Sequence, residues 1–84
     1  KAEPLEQFPL QSLRLVGTLR MGGQQVALIS APDGSVTSVR EGNYLGTDYG
    51  QVTDIRPQEV HITERILNQQ VGWQERQATL SLDE

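Results

Sequence analysis

Turn-forming residues cut this chain into short pieces, and no piece between them carries the 3.6-residue apolar period of an amphipathic helix. The punctuation falls at Met21-Gly22-Gly23-Gln24, Ala31-Pro32-Asp33-Gly34-Ser35, Thr47-Asp48-Tyr49-Gly50, Pro57-Gln58 and Asn68-Gln69-Gln70. Paired glycines supply the positive φ that a two-residue hairpin turn demands, and Pro followed by Asp-Gly suits a type I turn closing on a left-handed glycine. Segments this short can bury an apolar face only by pairing side by side, so the chain is expected to be all-β. Turn signals roughly every 8–12 residues mark a small β-sandwich or open barrel, here of about seven short strands with an extended N-terminal arm.

The strands show in the alternation. Leu13, Leu15, Gly17 and Leu19 share one phase against Arg14, Val16, Thr18 and Arg20, a period of two with one apolar face. Gln25 to Ser30 is apolar on both faces through Val26, Ala27, Leu28 and Ile29, which suits a central position. Val36 to Arg40 completes a meander. Glu41 to Gly46 reads as a sharp corner with Tyr44 and Leu45 plugged inward. In Gln51 to Arg56, Val52 and Ile55 are out of phase, which calls for a bulge. Glu59 to Leu67 alternates most cleanly, with Val60, Ile62 and Ile66 on one face. The last strand, Val71 to Leu82, sets Val71 and Trp73 in one phase and Ala78, Leu80 and Leu82 in the other, so a bend near Glu75–Gln77 is expected to reconcile them.

Two units are expected: an arm over residues 1–12 and a β-domain over residues 13–84. With 84 residues there is room for one thin core. Pro4 and Pro9 push their preceding residues toward extended backbone. Leu5, Phe8 and Leu10 either cover the domain's own core or form an exposed apolar segment that docks on a partner. The chain opens at Lys1 without an initiating Met and reads as a piece of something longer, with any targeting or anchoring segment upstream.

Composition removes several function classes. No cysteine is present, which excludes disulfides, thiolate metal sites and Cys nucleophiles within these residues. The formal charge is −4 with both signs scattered; without a Lys/Arg cluster the chain is poorly suited to nucleic acid or to an anionic membrane surface. No apolar run approaches the ~20 residues of a membrane helix. His61 is the single imidazole and falls mid-strand among polar-face neighbours. No Ser sits in a nucleophile elbow, the carboxylates do not follow a calcium-loop spacing, and the glycine-bearing corner lacks the Lys-Ser/Thr of a phosphate cradle. The reading is therefore a non-enzymatic module without cofactor or metal.

What remains is backbone. A small open sheet leaves rim N–H and C=O groups that a partner strand can pair. Arg14-Leu15-Val16-Gly17-Thr18-Leu19 is the candidate rim, and Arg14, Val16 and Thr18 join Leu5, Phe8 and Leu10 as candidate partner-binding residues. The competing reading is a carbohydrate- or peptidoglycan-binding module stacking sugars on Tyr44, Tyr49 and Trp73, which fails if all three are buried. A hydrolase fragment would need His61 in a cleft beside a Ser.

One further signal is a resemblance. Pro4-Leu5-Glu6-Gln7-Phe8-Pro9-Leu10, Ser12 to Leu19, Ala27-Leu28-Ile29 and Pro32-Asp33-Gly34 occur in the order of the PilP family. Val39-Arg40-Glu41-Gly42-Asn43-Tyr44-Leu45-Gly46 with Tyr49-Gly50-Gln51-Val52 is the most specific stretch. Trp73-Gln74-Glu75-Arg76 and Ala78 to Leu82 close it. The chain resembles, over nearly its whole length, the periplasmic domain of these inner-membrane lipoproteins of the type IV pilus machinery. One departure is the Asn68-Gln69-Gln70 hairpin tip, where a more Gly/Asp-rich loop is expected. The resemblance implies a seven-stranded periplasmic β-sandwich, anchored in the inner membrane by an upstream lipidated cysteine. It further implies binding to the inner-membrane pair PilN and PilO of the PilM/PilN/PilO subcomplex, chiefly through the N-terminal extension, and to the outer-membrane secretin PilQ. The implied role is alignment of the motor platform with the exit pore.

Overall fold

The computed structural model describes residues 3–82; Lys1 and Ala2 of the expected arm, and residues 83–84, lie outside that range. Two short 3-10 turns, Pro4–Gln7 and Leu10–Ser12, lead into seven strands: β1 Arg14–Met21, β2 Gln24–Ser30, β3 Val36–Val39, β4 Tyr44–Leu45, β5 Gly50–Arg56, β6 Glu59–Asn68 and β7 Gly72–Ser81. They form two antiparallel sheets, one in the order β1-β2-β3 and one in the order β4-β5-β6-β7. The fold is a small β-sandwich, as the turn spacing requires, and β2 is central in its sheet. Its long axis measures 42 Å against 28 and 27 Å across.

Most turns do what their residues dictate. Gly22 and Gly23 both take positive φ, and Met21 pairs directly with Gln24, the primed hairpin whose twist matches its strands. At Asp33 the backbone N–H and hydroxyl of Ser35 both donate to Oδ1, at 3.0 and 2.7 Å. These bonds hold the Asp33 carboxyl below its ordinary pKa.

Two bulges set which side chains face inward. On β5 the register slips between Val52 and Asp54, which brings both Val52 and Ile55 into the core. On β1 it slips between Leu15 and Gly17. That slip ends the uniform apolar face expected from Leu13 to Leu19: Leu13 and Leu15 are buried, whereas Leu19 is exposed, because one extra residue reverses the facing of everything beyond it.

The core lies between the sheets, where Leu15, Ile29, Leu45, Val52, Val60 and Ile62 interdigitate. Each such side chain contributes about 1.5–3 kcal/mol by leaving water. The N-terminal leader belongs to it: Leu5 is 2% exposed and Leu10 8%, and Phe8 packs half-buried against the same cluster. The leader also pairs along the outer side of β4. Tyr44 N–H donates to Glu3 Oε1 (3.0 Å) and Gly46 N–H to the Leu5 carbonyl (3.0 Å).

Two expectations about facing are corrected. β4 is a strand, so its neighbours point to opposite sides: Leu45 is buried and Tyr44 faces out. β6 and β7 pair without a slip from Glu59↔Ser81 to Asn68↔Gly72, so the expected bend near Glu75–Gln77 does not occur. Ala78, Leu80 and Leu82 pack on the core, and Trp73 stays on the outer face.

Candidate functional site

Among the strand rims, β1 has β2 as its sheet neighbour on one side. On its other side Leu15 forms a parallel bridge with Leu82, and the Thr18 hydroxyl donates to the Pro57 carbonyl at 2.8 Å. These links stitch the two sheets together at the start of β1. Arg14, Val16 and Leu19 to Met21 have exposed side chains. The adjoining rim of the other sheet belongs to β7, ten residues long with β6 as its sheet neighbour. The candidate docking residues therefore separate. Arg14, Val16 and Thr18 lie on a rim strand, whereas Leu5 and Leu10 are core side chains with no surface to offer and Phe8 is half-covered. Pro9 is extended ahead of the second 3-10 turn, and hydrogen bonds from Tyr44 and Gly46 hold the leader against the sandwich.

A second region assembles on the outer face of the four-stranded sheet. Its rows are set by register: Tyr44 opposite Gln51, Gln51 opposite Thr63, Arg65 opposite Glu75 and Leu67 opposite Trp73. Past Thr63, β5 has ended, and β6 and β7 continue alone as a two-stranded ribbon from Glu64↔Arg76 to Asn68↔Gly72. The β4–β5 turn leans on the root of this ribbon, where the Asp48 carbonyl accepts from Arg65 N–H at 2.8 Å. Tyr49, next in the chain, holds φ of 55°, a left-handed conformation uncommon for a bulky residue. Its successor must be glycine: a Cβ at Gly50 would stand 2.5 Å from the Leu45 carbonyl oxygen.

This turn aims the Tyr49 ring at Trp73, with centroids 5.7 Å apart at 75°, an edge-to-face arrangement. The Arg65 guanidinium carbon lies 5.6 Å from the Trp73 ring centre, a cation–π geometry. All three aromatic candidates are accessible, with Tyr44 36% exposed, Tyr49 57% and Trp73 54%, so the condition that would dismiss a stacking surface is not met. With Glu3, Glu6, Gln51, Thr63, Gln74 and Glu75 they line a groove of about 920 Å³.

Beneath the groove lies a charged pair, one member of which shares the phase of Val60, Ile62 and Ile66. Glu64 occupies the inward phase of β6 and is 3% exposed. Arg76, opposite it on β7, reaches Glu64 Oε1 through Nε at 3.0 Å and Nη2 at 2.9 Å, and extends Nη2 to Asp48 Oδ2 at 3.3 Å. A buried carboxylate is tolerated only with such a partner. The pair also ties the turn that carries Tyr49 to the root of the ribbon. His61 is half-buried and hydrogen-bonds through Nε2 to Glu59 Oε1; no Ser hydroxyl is among its hydrogen-bond partners in the described residues.

Comparison with known proteins places this architecture. Residues 1–82 match the family described as "Pilus assembly protein, PilP". The chain belongs to the PilP family. It is 34% identical over 80 residues to the type IV pilus inner membrane component PilP of Pseudomonas aeruginosa, covering 95% of this chain and 45% of that protein. The chain thus spans somewhat under half the length of this curated relative. Its fold superposes on a domain of the type IV pilus biogenesis lipoprotein PilP from P. aeruginosa, with a TM-score of 0.88, 32% identity and coverage of 98% of this chain and 93% of that one. It also superposes on a domain of the Neisseria meningitidis PilP pilot protein, with a TM-score of 0.80, 36% identity and coverage of 99% and 73%.

Proposed function

We propose that this domain is a non-enzymatic, periplasmic protein-interaction module of type IV pilus assembly, held at the inner membrane by an upstream lipid anchor. In this reading it joins the PilM/PilN/PilO subcomplex to the secretin PilQ. Its relatives are named as pilus assembly and inner-membrane components, which supports a role built on partners rather than on turnover.

The observation that carries the docking mechanism is the place of β1 at a sheet rim, bridged on its outer side at Leu15. Beyond that bridge the Thr18 hydroxyl still holds the Pro57 carbonyl, and the main-chain groups of the stretch from Val16 to Met21 are offered to a strand of the secretin, the mode of strand addition. Arg14, Val16 and Thr18 flank this rim. The PilN/PilO contact falls on the outer surface of the leader, where Phe8 is the partly exposed apolar side chain; Leu5 and Leu10 serve it only by holding the leader in place.

Chemical-shift mapping of the labelled domain with the N-terminal periplasmic domains of PilQ tests the rim. Perturbed amides along 16–21 are the expected result. Perturbations confined to β7 overturn the placement, and a spectrum that does not change overturns the link to the secretin. For the leader, Phe8→Asp is expected to reduce co-purification with PilN/PilO while the domain stays folded; undiminished recovery refutes that contact.

A further inference from the structure

The groove on the outer face of the four-stranded sheet plays no part in docking through the β1 rim, which belongs to the other sheet. Three exposed aromatic rings, Tyr44, Tyr49 and Trp73, line this one concavity. We propose that this groove is a second docking site, and that its occupant is an extended, basic segment of a protein partner whose Lys or Arg side chains seat between Tyr44, Tyr49 and Trp73.

Charge complementarity selects this occupant. The lining carries three carboxylates, Glu3, Glu6 and Glu75, against one guanidinium, Arg65, and the Arg65 guanidinium already lies over Trp73. With the Trp73 face already taken by Arg65, an incoming cation meets the exposed Tyr44 and Tyr49 rings and an acidic rim together, the combination that recognises ammonium and guanidinium groups. The floor adds amide and hydroxyl groups from Gln51, Thr63 and Gln74, which suit a peptide backbone. A glycan fits less well. Sugar stacking needs an open ring face, and Trp73 has Arg65 over its ring and Tyr49 set edge-to-face against it. The acidic rim likewise disfavours an anionic segment.

The groove also contains its own reporter, because Trp73 is the single Trp of the chain. Its fluorescence would be followed while the folded domain is titrated with an end-capped hexapeptide bearing alternating Lys and Arg. Parallel titrations would use the same peptide with Glu at the charged positions, and chitotetraose. The expected result is a saturable change with the basic peptide alone, weakening as salt rises from about 0.05 to 0.5 M because the attraction is screened.

Tyr49→Gly removes one wall while suiting the positive φ at that position, so it leaves the fold intact; it is expected to weaken binding about threefold to tenfold, the worth of one cation–π partner. Glu75→Gln, an exposed isosteric change, is expected to weaken binding and flatten the salt dependence. A basic peptide that leaves Trp73 unchanged overturns the proposal, as does an equal response to the acidic peptide or a response to chitotetraose alone. So does undiminished affinity in both variants with melting temperature preserved. Because these residues lie off β1, failure here leaves the secretin mapping untouched, and failure of that mapping leaves this groove standing.

Discussion

The leader and the β6–β7 ribbon make an instructive pair. Both carry large apolar side chains outside a regular two-residue pattern. In the leader, Leu5 and Leu10 are buried; at the ribbon, Leu67, Val71 and Trp73 are exposed. Local sequence leaves the arm open between covering the core and reaching outward, and gives Trp73 only a strand phase. The difference lies in what stands opposite each segment. The leader runs along the short strand β4 and covers an opening between the sheets, accepting hydrogen bonds from Tyr44 and Gly46 on the way. The ribbon runs past the last β5 residue paired with β6, where no second layer covers it. Hydrophobicity supplies the drive to bury a side chain, but only a facing surface supplies the place.

The largest expected effect falls on the leader. Leu5→Ala removes a side chain from the core and is expected to cost about 2–5 kcal/mol, read as a fall in thermal midpoint of the order of 10–30 °C for a domain this small. Deleting residues 1–12 is expected to be worse, so loss of partner binding in that truncation would report unfolding rather than a lost contact. A stable, cooperatively folding truncation would place the leader outside the core and undo the contrast.

At the root of the ribbon, Arg76→Ala leaves the Glu64 carboxylate buried without its partner. A loss of about 2–3 kcal/mol is expected in urea unfolding. The double change Arg76→Leu with Glu64→Leu should restore much of it, because an apolar pair needs no compensation. A single variant as stable as the parent would mean that water reaches Glu64.

On the ribbon itself, Trp73→Ala is expected to cost no more than about 1 kcal/mol, an unusually small value for the removal of a Trp. A loss of 3 kcal/mol or more would return Trp73 to the core. The smallest effect is a pH dependence at Asp33. Its carboxyl is held low first by the Ser35 hydroxyl and then by the Ser35 backbone N–H. A lowered folded pKa stabilises above the ordinary Asp value, and that contribution disappears as pH falls through the lowered one. Ser35→Ala should therefore shift the acid-unfolding midpoint slightly upward and leave stability unchanged below the lowered Asp33 pKa.

Much of the fold was legible in the chain itself. Gly22-Gly23, Pro32-Asp33-Gly34 and Pro57-Gln58 act through the backbone of neighbouring residues, so their turns follow from local chemistry. The two-residue alternation of β6 and the phase break between Val52 and Ile55 likewise carry their own evidence. The family resemblance was readable for the same reason, since the corner from Val39 to Val52 is dense in glycines that its tight geometry requires. The site was harder to see. Nothing near Glu64 in the chain announces its partner, because Arg76 is twelve residues away. Tyr49 and Trp73 gave no hint that they meet. The available clues were the place of Glu64 in the apolar phase of β6, between Ile62 and Ile66, and the exposed-aromatic candidates Tyr44, Tyr49 and Trp73.

From the residues alone came the strand content, the hairpin turns, the absence of thiol chemistry and the family, because each depends on short-range conformational preference or on composition. Tertiary structure alone decided that the leader is core, that Trp73 is surface, and that Arg76 neutralises a buried carboxylate beneath an acidic aromatic groove. Those outcomes depend on which segments face one another across the sandwich and where one strand ends before its neighbour, a long-range arrangement that no window of sequence contains.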